Sequence, residues 1–357
     1  MFKSLTLQGA SRRKHSMLGI ALAVVVLLAS SCISVPISLP GTPSSLDPHG
    51  PDAANIANLW WLMLGCGVLV TVLVYVILSA AILRRRRATS DTEPDTNEKI
   101  GMGWLIWGGI VLPLIVLAIV FVATIGILSV VSAPQEPAAM TIKVIGRRWW
   151  WQVDYPAAGV TTANEIHVIT GVPIRIELQS ADVIHSFWVP QLIGKMDAIP
   201  AKPNALYIQA DQAGNYRGEC AEFCGLQHAH MGFMVVAESK EDFDKWISAQ
   251  QQPAPPPQQD LVLRGQQVFL SAGCVFCHTI NGLNDKGIDA SKVDLGPDLT
   301  HLSTRLTIAG ASLNNTLGNL AGWIVDAQHV KPGSLMPEMY LQSQDLQSLL
   351  AYLETLK

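Results

Sequence analysis

Positive charge is not in surplus along this chain of 357 residues. Lys and Arg number 24 against 28 Asp and Glu, a net charge of −4. That balance provides no basic field for nucleic acid, so nucleic acid is not expected as a partner. Cysteine is scarce as well. Of six, Cys220, Cys224, Cys274 and Cys277 fall in two short motifs, Cys66 lies in an apolar run and Cys32 follows another. No pair is left over for a structural disulfide, and Cys66 reads as a small packed hydrophobe. Charge is missing altogether from Ile56 to Leu83 and from Met102 to Val131, although the chain as a whole is 15% charged. The apolar residues, 49% in all, are concentrated in the first third. The length accommodates membrane segments plus two soluble domains.

What is present at the start is an export signature over residues 1–31. Arg12, Arg13 and Lys14 form a basic start, Leu18 to Leu28 an apolar core, and Ala29, Ser30 and Ser31 a run of small residues. That run ends at Cys32, which opens a second reading: lipoprotein cleavage and acylation of Cys32. The usual Leu three places earlier is here Ala29, and ordinary cleavage near the same point is the alternative. The charge-free runs 56–83 and 102–131 each exceed the ~20 residues needed to cross a bilayer. Arg84 to Arg87 mark the cytoplasmic end of the first and make 84–101 a cytoplasmic loop. The chain is therefore expected to be a two-pass protein of the bacterial plasma membrane, with everything after Val131 on the outer face. Trp60, Trp61 and Trp104 suit the membrane interface, and Pro113 is expected to kink the second helix.

Over 138–249 the pattern changes to strands. Thr141-Ile-Lys-Val-Ile, Glu165-Ile-His-Val-Ile and Pro173-Ile-Arg-Ile-Glu-Leu alternate, and glycines and prolines separate such runs. This predicts an all-β sandwich or Greek-key barrel. Near its end, Cys220 and Cys224 lie four apart in a Gly-flanked loop, with His228 and Met231 following. His185 would arrive from another part of the sandwich. Thiolate, imidazole and thioether together suit copper. Zinc, or a disulfide between Cys220 and Cys224, is the competing reading. Zinc rarely recruits Met, and a disulfide explains neither His228 nor Met231.

Residues 250–259, rich in Pro and Gln, read as an extended linker. In the segment 260–357, Leu263 to Phe269 has an amphipathic helical pattern and Cys274-Val-Phe-Cys277-His278 follows. That pentapeptide reads as covalent attachment of a c-type haem, with His278 as iron ligand. Lys331-Pro-Gly-Ser-Leu-Met336-Pro337 offers Met336 as the sixth ligand, and Met339 is its rival. From Asp345 to Leu356, apolar residues at helical spacing predict a closing helix.

The string Cys220-Ala-Glu-Phe-Cys224-Gly-Leu-Gln-His228-Ala-His-Met231 resembles the copper A loop of cytochrome c oxidase subunit II. Asp182-Val-Ile-His185-Ser-Phe-Trp and Gly146-Arg-Arg-Trp149-Trp-Trp151-Gln are similar to other segments of that family, and the resemblance covers 50–245. The tail resembles class I cytochromes c, through the Lys331 to Pro337 loop and Gly296-Pro297. The resemblance implies two membrane helices, an all-β cupredoxin sandwich and an all-α cytochrome c domain, the caa-type arrangement. It implies that Cys220 and Cys224 bridge two coppers, that His185 and His228 bind one each, and that Met231 and the Glu222 carbonyl are axial. It further implies a magnesium or manganese ion at the Glu222 side chain, shared with subunit I, and Trp149 as the residue through which electrons enter. His230 is off-register from the family spacing, and His167 is expected to be structural. The implied function is electron transfer from haem c to copper A and on to subunit I, with oxygen reduction and proton pumping in the complex. Other oxidase subunits and an upstream donor, either a cytochrome c or a quinol-oxidising complex, would be partners. Alternatives are the copper A subunit of a nitric oxide reductase and a membrane-anchored copper carrier for oxidase assembly. The two N-terminal helices argue against nitrous oxide reductase.

Overall fold

The computed structural model describes residues 43–87, 98–132, 138–284 and 296–357. The expected signal segment, Cys32 and most of the loop after Arg87 lie outside the described residues. Helix α1 spans Pro51–Arg87, longer than the apolar run it contains. The second run forms α2 (Glu98–Ile106), a π-helical turn (Trp107–Val111) and α3 (Leu112–Val131). Pro113 accounts for the π turn, because it lacks an N–H and its ring crowds the carbonyl four residues back. Pro51–Arg85 and Gly101–Val131 are long and apolar enough to cross a membrane.

The following ten strands build two five-stranded sheets. One contains β1 (Thr141–Arg147), β2 (Trp150–Tyr155), β3 (Val160–Ala163), β5 (Ile174–Ser180) and β8 (Asn204–Ile208), in the order β3-β2-β1-β5-β8. The other contains β4 (Glu165–Ile169), β6 (His185–Trp188), β7 (Met196–Ala198), β9 (Gly214–Cys220) and β10 (Gly232–Glu238), in the order β4-β10-β9-β6-β7. Alternation is the cause of the sandwich: Ile142, Val144, Ile174, Ile176 and Leu178 all turn inward and are fully buried. Trp151 fills the centre, edge-on to Phe187 and Phe233. Helix α4 (Lys240–Gln250) closes one end, capped by Ser239, which accepts from the Asp242 amide. The sandwich also grips the start of α1. The His49 amide donates to Gln191 O at 2.7 Å and the Ala53 amide to Leu192 O at 3.3 Å. The sandwich thus sits at the end of α1 opposite Arg84 and Arg85.

The C-terminal domain is predominantly helical. It consists of α5 (Asp260–Ser271), a 3₁₀ turn (Cys274–Phe276), α6 (Leu317–Val325), α7 (Ala327–Val330) and α8 (Ser343–Glu354). A two-residue ladder, β11 (Thr307–Ile308) with β12 (Leu313–Asn314), adds a small β element that composition does not suggest. The chain between the domains departs from a free spacer. Gln250 belongs to α4, and its carbonyl accepts from His301 Nε2 at 3.0 Å. The Ala254 amide donates to Asn281 O at 3.0 Å, and Gln251 Nε2 to Ala158 O at 2.9 Å. These bonds seat the segment against both domains, which extended Pro-rich chain is well suited to accept.

Candidate metal and haem sites

Two neighbouring strands and one loop assemble the first site. Cys220 ends β9 and His185 opens β6, and the two strands pair through Phe187 and Cys220. Cys224, His228 and Met231 follow in the loop before β10. The Cys220 and Cys224 sulfurs are 3.8 Å apart, too far for a disulfide. His185 Nδ1 lies 3.9 Å from Cys220 Sγ, and His228 Nδ1 lies 3.7 Å from Cys224 Sγ. Met231 Sδ is 3.7 Å from Cys224 Sγ, and Glu222 O is 3.4 Å from Cys220 Sγ. His185, Cys220 and Cys224 offer ligand atoms all within 4.8 Å of one another. His228 and Met231 gather on the other sulfur. Each thiol therefore has its own imidazole, which suits two metal ions sharing two sulfurs better than one ion among five donors.

The electrostatics fit the same conclusion. Two thiols this close cannot both ionise without a cation. The hydrogen bond from Cys224, aided by His185 and backbone amides, pushes Cys220 well below the usual thiol range. Its bond to Cys220 and burial push Cys224 up. A bound metal would remove that conflict by taking both as thiolates. Asp182 fixes the His185 tautomer, since His185 Nε2–H donates to Asp182 Oδ1 at 2.7 Å and leaves Nδ1 facing the sulfur. Burial alone would raise Asp182, but hydrogen bonds from His185 and from the Val183 and Arg148 amides hold it below the usual carboxylate range. Gly146 makes room for the ring: a Cβ there would lie 2.6 Å from His185 Cδ2.

The competing histidines face elsewhere. His167 is held by Glu238 at 2.8 Å and Glu165 at 3.0 Å and stacks on Trp246, so both ring nitrogens are engaged. His230 Nδ1 pairs with Gln227 Oε1 at 2.7 Å. Trp149 lies at the tip of the β1–β2 hairpin, because Arg147 pairs with Trp150 and leaves Arg148 and Trp149 as a two-residue turn. Its Nε1 donates to the Cys224 carbonyl at 3.0 Å.

The second site is a cavity whose apolar wall includes Phe269, Leu299, Leu320, Trp323 and Leu349. Cys274, Cys277 and His278 line it, and so do both Met336 and Met339. His278 Nδ1–H donates to Pro297 O at 2.7 Å, leaving Nε2 as the free donor atom. Burial pushes this imidazole down, toward the neutral form that binds iron. Gly296 permits the approach, since a Cβ there would sit 2.7 Å from His278 Cε1. Gln328 pins the loop of Met336, donating to Met336 O at 2.8 Å and accepting from the Gly333 amide at 2.8 Å.

Arg305 Nε and Thr307 Oγ1 are buried without a hydrogen-bond partner, and both residues line the cavity. The carboxylates of a haem would satisfy such groups, so the wall fits a haem. Lys331 is also buried in the wall, and burial pushes its ammonium down to about 7. Arg148, Trp149 and Trp150 of the sandwich complete the cavity. Sequence reasoning gave no role to Asp182, Gly146, Arg305, Thr307, Gln328 or Lys331. Asp182 and Lys331 stood inside the motifs as unexplained polar residues, the one signal available for them.

The fold and these two sites define a class: a membrane-anchored cupredoxin fused to a cytochrome c. The family described as cytochrome c oxidase subunit II, periplasmic domain, matches residues 157–238, and the cytochrome c family matches 262–357. The cytochrome c oxidase subunit 2 of Alkalihalophilus pseudofirmus is 33% identical over 324 residues, covering 88% of this chain and 91% of that protein. The cytochrome c oxidase subunit 2 of Bacillus subtilis is 30% identical, covering 96% and 98%. A quinol oxidase subunit 2 of Bacillus cereus is 30% identical, covering 60% and 75%. The chain belongs to the cytochrome c oxidase subunit II family and carries a cytochrome c domain. It is therefore a membrane-anchored component of an oxidoreductase complex that associates with other oxidase subunits, and membership implies copper A and haem c.

Proposed function

We propose that this chain takes electrons at its fused haem c, hands them to copper A and delivers them to subunit I, where oxygen is reduced to water with proton pumping. The two cofactors supply the one-electron chemistry when bound; the residues set their place and potential. Cys220 and Cys224 would hold the coppers through their sulfurs, His185 and His228 through their imidazoles, Met231 through its thioether and Glu222 through its carbonyl. Cys274 and Cys277 would hold the haem through thioethers, and His278 and Met336 would hold its iron. The observation that carries the reading is the pairing of one imidazole with each of two sulfurs 3.8 Å apart.

The surrounding residues have clear tasks under this reading. The sandwich holds the ligands still, which keeps reorganisation on redox change small. Asp182 orients His185, and Trp149, bonded to the Cys224 carbonyl, is where electrons enter the copper site. Arg84 and Arg85 favour the cytoplasmic side, which puts the sandwich and haem domain on the outer face. The Glu222 side chain would reach magnesium or manganese. That ion would be shared with subunit I. A tethered haem keeps the donor at high effective concentration, and an upstream cytochrome c or quinol-oxidising complex would reduce it.

The purified complex tests the reading. It should show a mixed-valence binuclear copper signal in electron paramagnetic resonance and consume oxygen when its haem c is reduced. Nitric oxide consumption without oxygen uptake would move the chain to a nitric oxide reductase. Copper that a mild chelator removes, with no mixed-valence signal, would indicate a carrier.

A further inference from the structure

The haem domain meets the sandwich through several hydrogen bonds, among them that of the Leu306 amide to Glu165 at 2.8 Å, and, closest to the copper loop, through one turn and one lysine. The turn is Ala309-Gly310-Ala311, between β11 and β12, with φ of 55°, 66° and 56°. Two alanines in the left-handed region are strained and persist where surrounding contacts hold them. Here the three successive carbonyls all accept hydrogen bonds. Ala309 O takes one from Lys331 Nζ at 3.2 Å, Gly310 O one from the Gly232 amide at 2.9 Å, and Ala311 O one from Arg217 Nη1 at 2.8 Å. Gly232 and Arg217 belong to the sandwich, on β10 and β9.

Lys331 completes the junction. It rises from the haem-domain loop that carries Met336, is 3% exposed, and donates to Trp149 O at 2.8 Å. No carboxylate pairs with it among the described residues. Trp149 in turn donates through Nε1 to the Cys224 carbonyl. One residue away, Gln227 Nε2, from the loop of the candidate copper ligands, donates to Pro332 O at 2.8 Å. The distal haem loop, the tip of the β1–β2 hairpin and the copper loop are thus joined by three consecutive hydrogen bonds.

We propose that Lys331 and the Ala309–Ala311 turn form a latch that holds the haem domain on Trp149 and so fixes the distance over which an electron passes between the two sites. Lys331 is a positioning residue: it touches the Trp149 backbone and acts through that residue. The latch rests on the electron-transfer reading above and adds to it that the fused domain works from one seated pose. The step it serves is the loss of one electron by the reduced haem and its gain by the oxidised copper pair, with no bond made or broken.

The test uses the full chain in its complex, with Lys331→Met, Lys331→Arg and Arg217→Ala. A photoreductant delivers one electron to haem c, and the haem-to-copper rate is read optically. Lys331→Met is expected to slow transfer by roughly ten- to a hundredfold. Lys331→Arg should restore part of the rate, and Arg217→Ala should slow it less. The copper resonance signal should stay at its wild-type form in all three variants. The haem potential should stay at its wild-type value in Lys331→Arg, which keeps the charge in the cavity wall, and in Arg217→Ala. Amide exchange should rise in 230–234 and 306–312 in Lys331→Met and stay unchanged in β1 and β5. Equal rates and equal exchange in all four proteins would overturn the latch, as would a slowed rate in Arg217→Ala with a shifted haem potential. Absence of haem-to-copper transfer in the wild type would instead overturn the electron-transfer reading itself.

Discussion

The two sites differ in how much of each the polypeptide builds by itself. At the sandwich end, the sulfur, imidazole and thioether atoms already stand 3.7–3.9 Å from their neighbours. His185 is fully buried and held by Asp182. At the haem end, the donors line a cavity with two unpartnered buried groups, and the distal loop is partly exposed. A β sandwich with a continuous apolar core can fix a metal loop without help. The helical domain packs a smaller core, with Phe269, Leu320, Leu349 and Leu353 in it, round a cavity that leaves this core incomplete until something fills it. One site is therefore preorganised, and the other should depend on its cofactor for its own packing.

The largest expected effect breaks that contrast directly. Cys274→Ala with Cys277→Ala, which prevents attachment, should abolish cooperative thermal unfolding of the haem domain. Removing copper from the wild type should leave the sandwich with its strand signal and amide protection. Calorimetry and hydrogen exchange on the two preparations check this; equal loss in both would refute the contrast.

Next, Met336→Ala should keep haem attached but lower its potential, read by optical redox titration. An unchanged potential would assign the axial role to Met339, which lines the same cavity. At the preorganised site, Gly146→Ala drives a Cβ into the His185 ring, an overpacking cost of about 1–3 kcal/mol. Copper affinity should fall by roughly ten- to a hundredfold, measured by competition with a chelator, while haem content stays constant.

The smallest effect concerns pH. Burial alone would lower His167, but its bonds to Glu165 and Glu238 outweigh that and raise it. The folded chain then holds this proton more tightly than the unfolded chain. Its contribution is full below about pH 6.5 and is lost as pH rises through the folded value. The wild type should therefore lose stability relative to His167→Gln across that rise, as followed by denaturant unfolding at successive pH values. A constant difference would show that His167 does not titrate in that window.

Legibility in the sequence followed chain distance. The spacings of Cys220, Cys224, His228 and Met231, and of Cys274, Cys277 and His278, are local, and local spacing survives folding. Strand alternation at Thr141, Glu165 and Pro173 was legible for the same reason. The charge-free runs announced the membrane helices, although not the π turn before Pro113. Asp182 has no role legible in its local motif, because that role depends on where His185 and Arg148 end up. Lys331 stood in a motif as one more basic residue, and nothing local says that its ammonium would reach Trp149, 182 positions away.

By itself, the sequence determined the membrane segments, the two soluble folds and the chemical kinds of donor atoms, since these follow from periodicity and residue type. Only the tertiary structure decided which sulfur each imidazole serves, where Trp149 points, and that the Pro/Gln segment ends in a seated domain. Those depend on strand pairing and on backbone carbonyls in a left-handed turn. Backbone groups are the same in every residue, so no side-chain pattern records them.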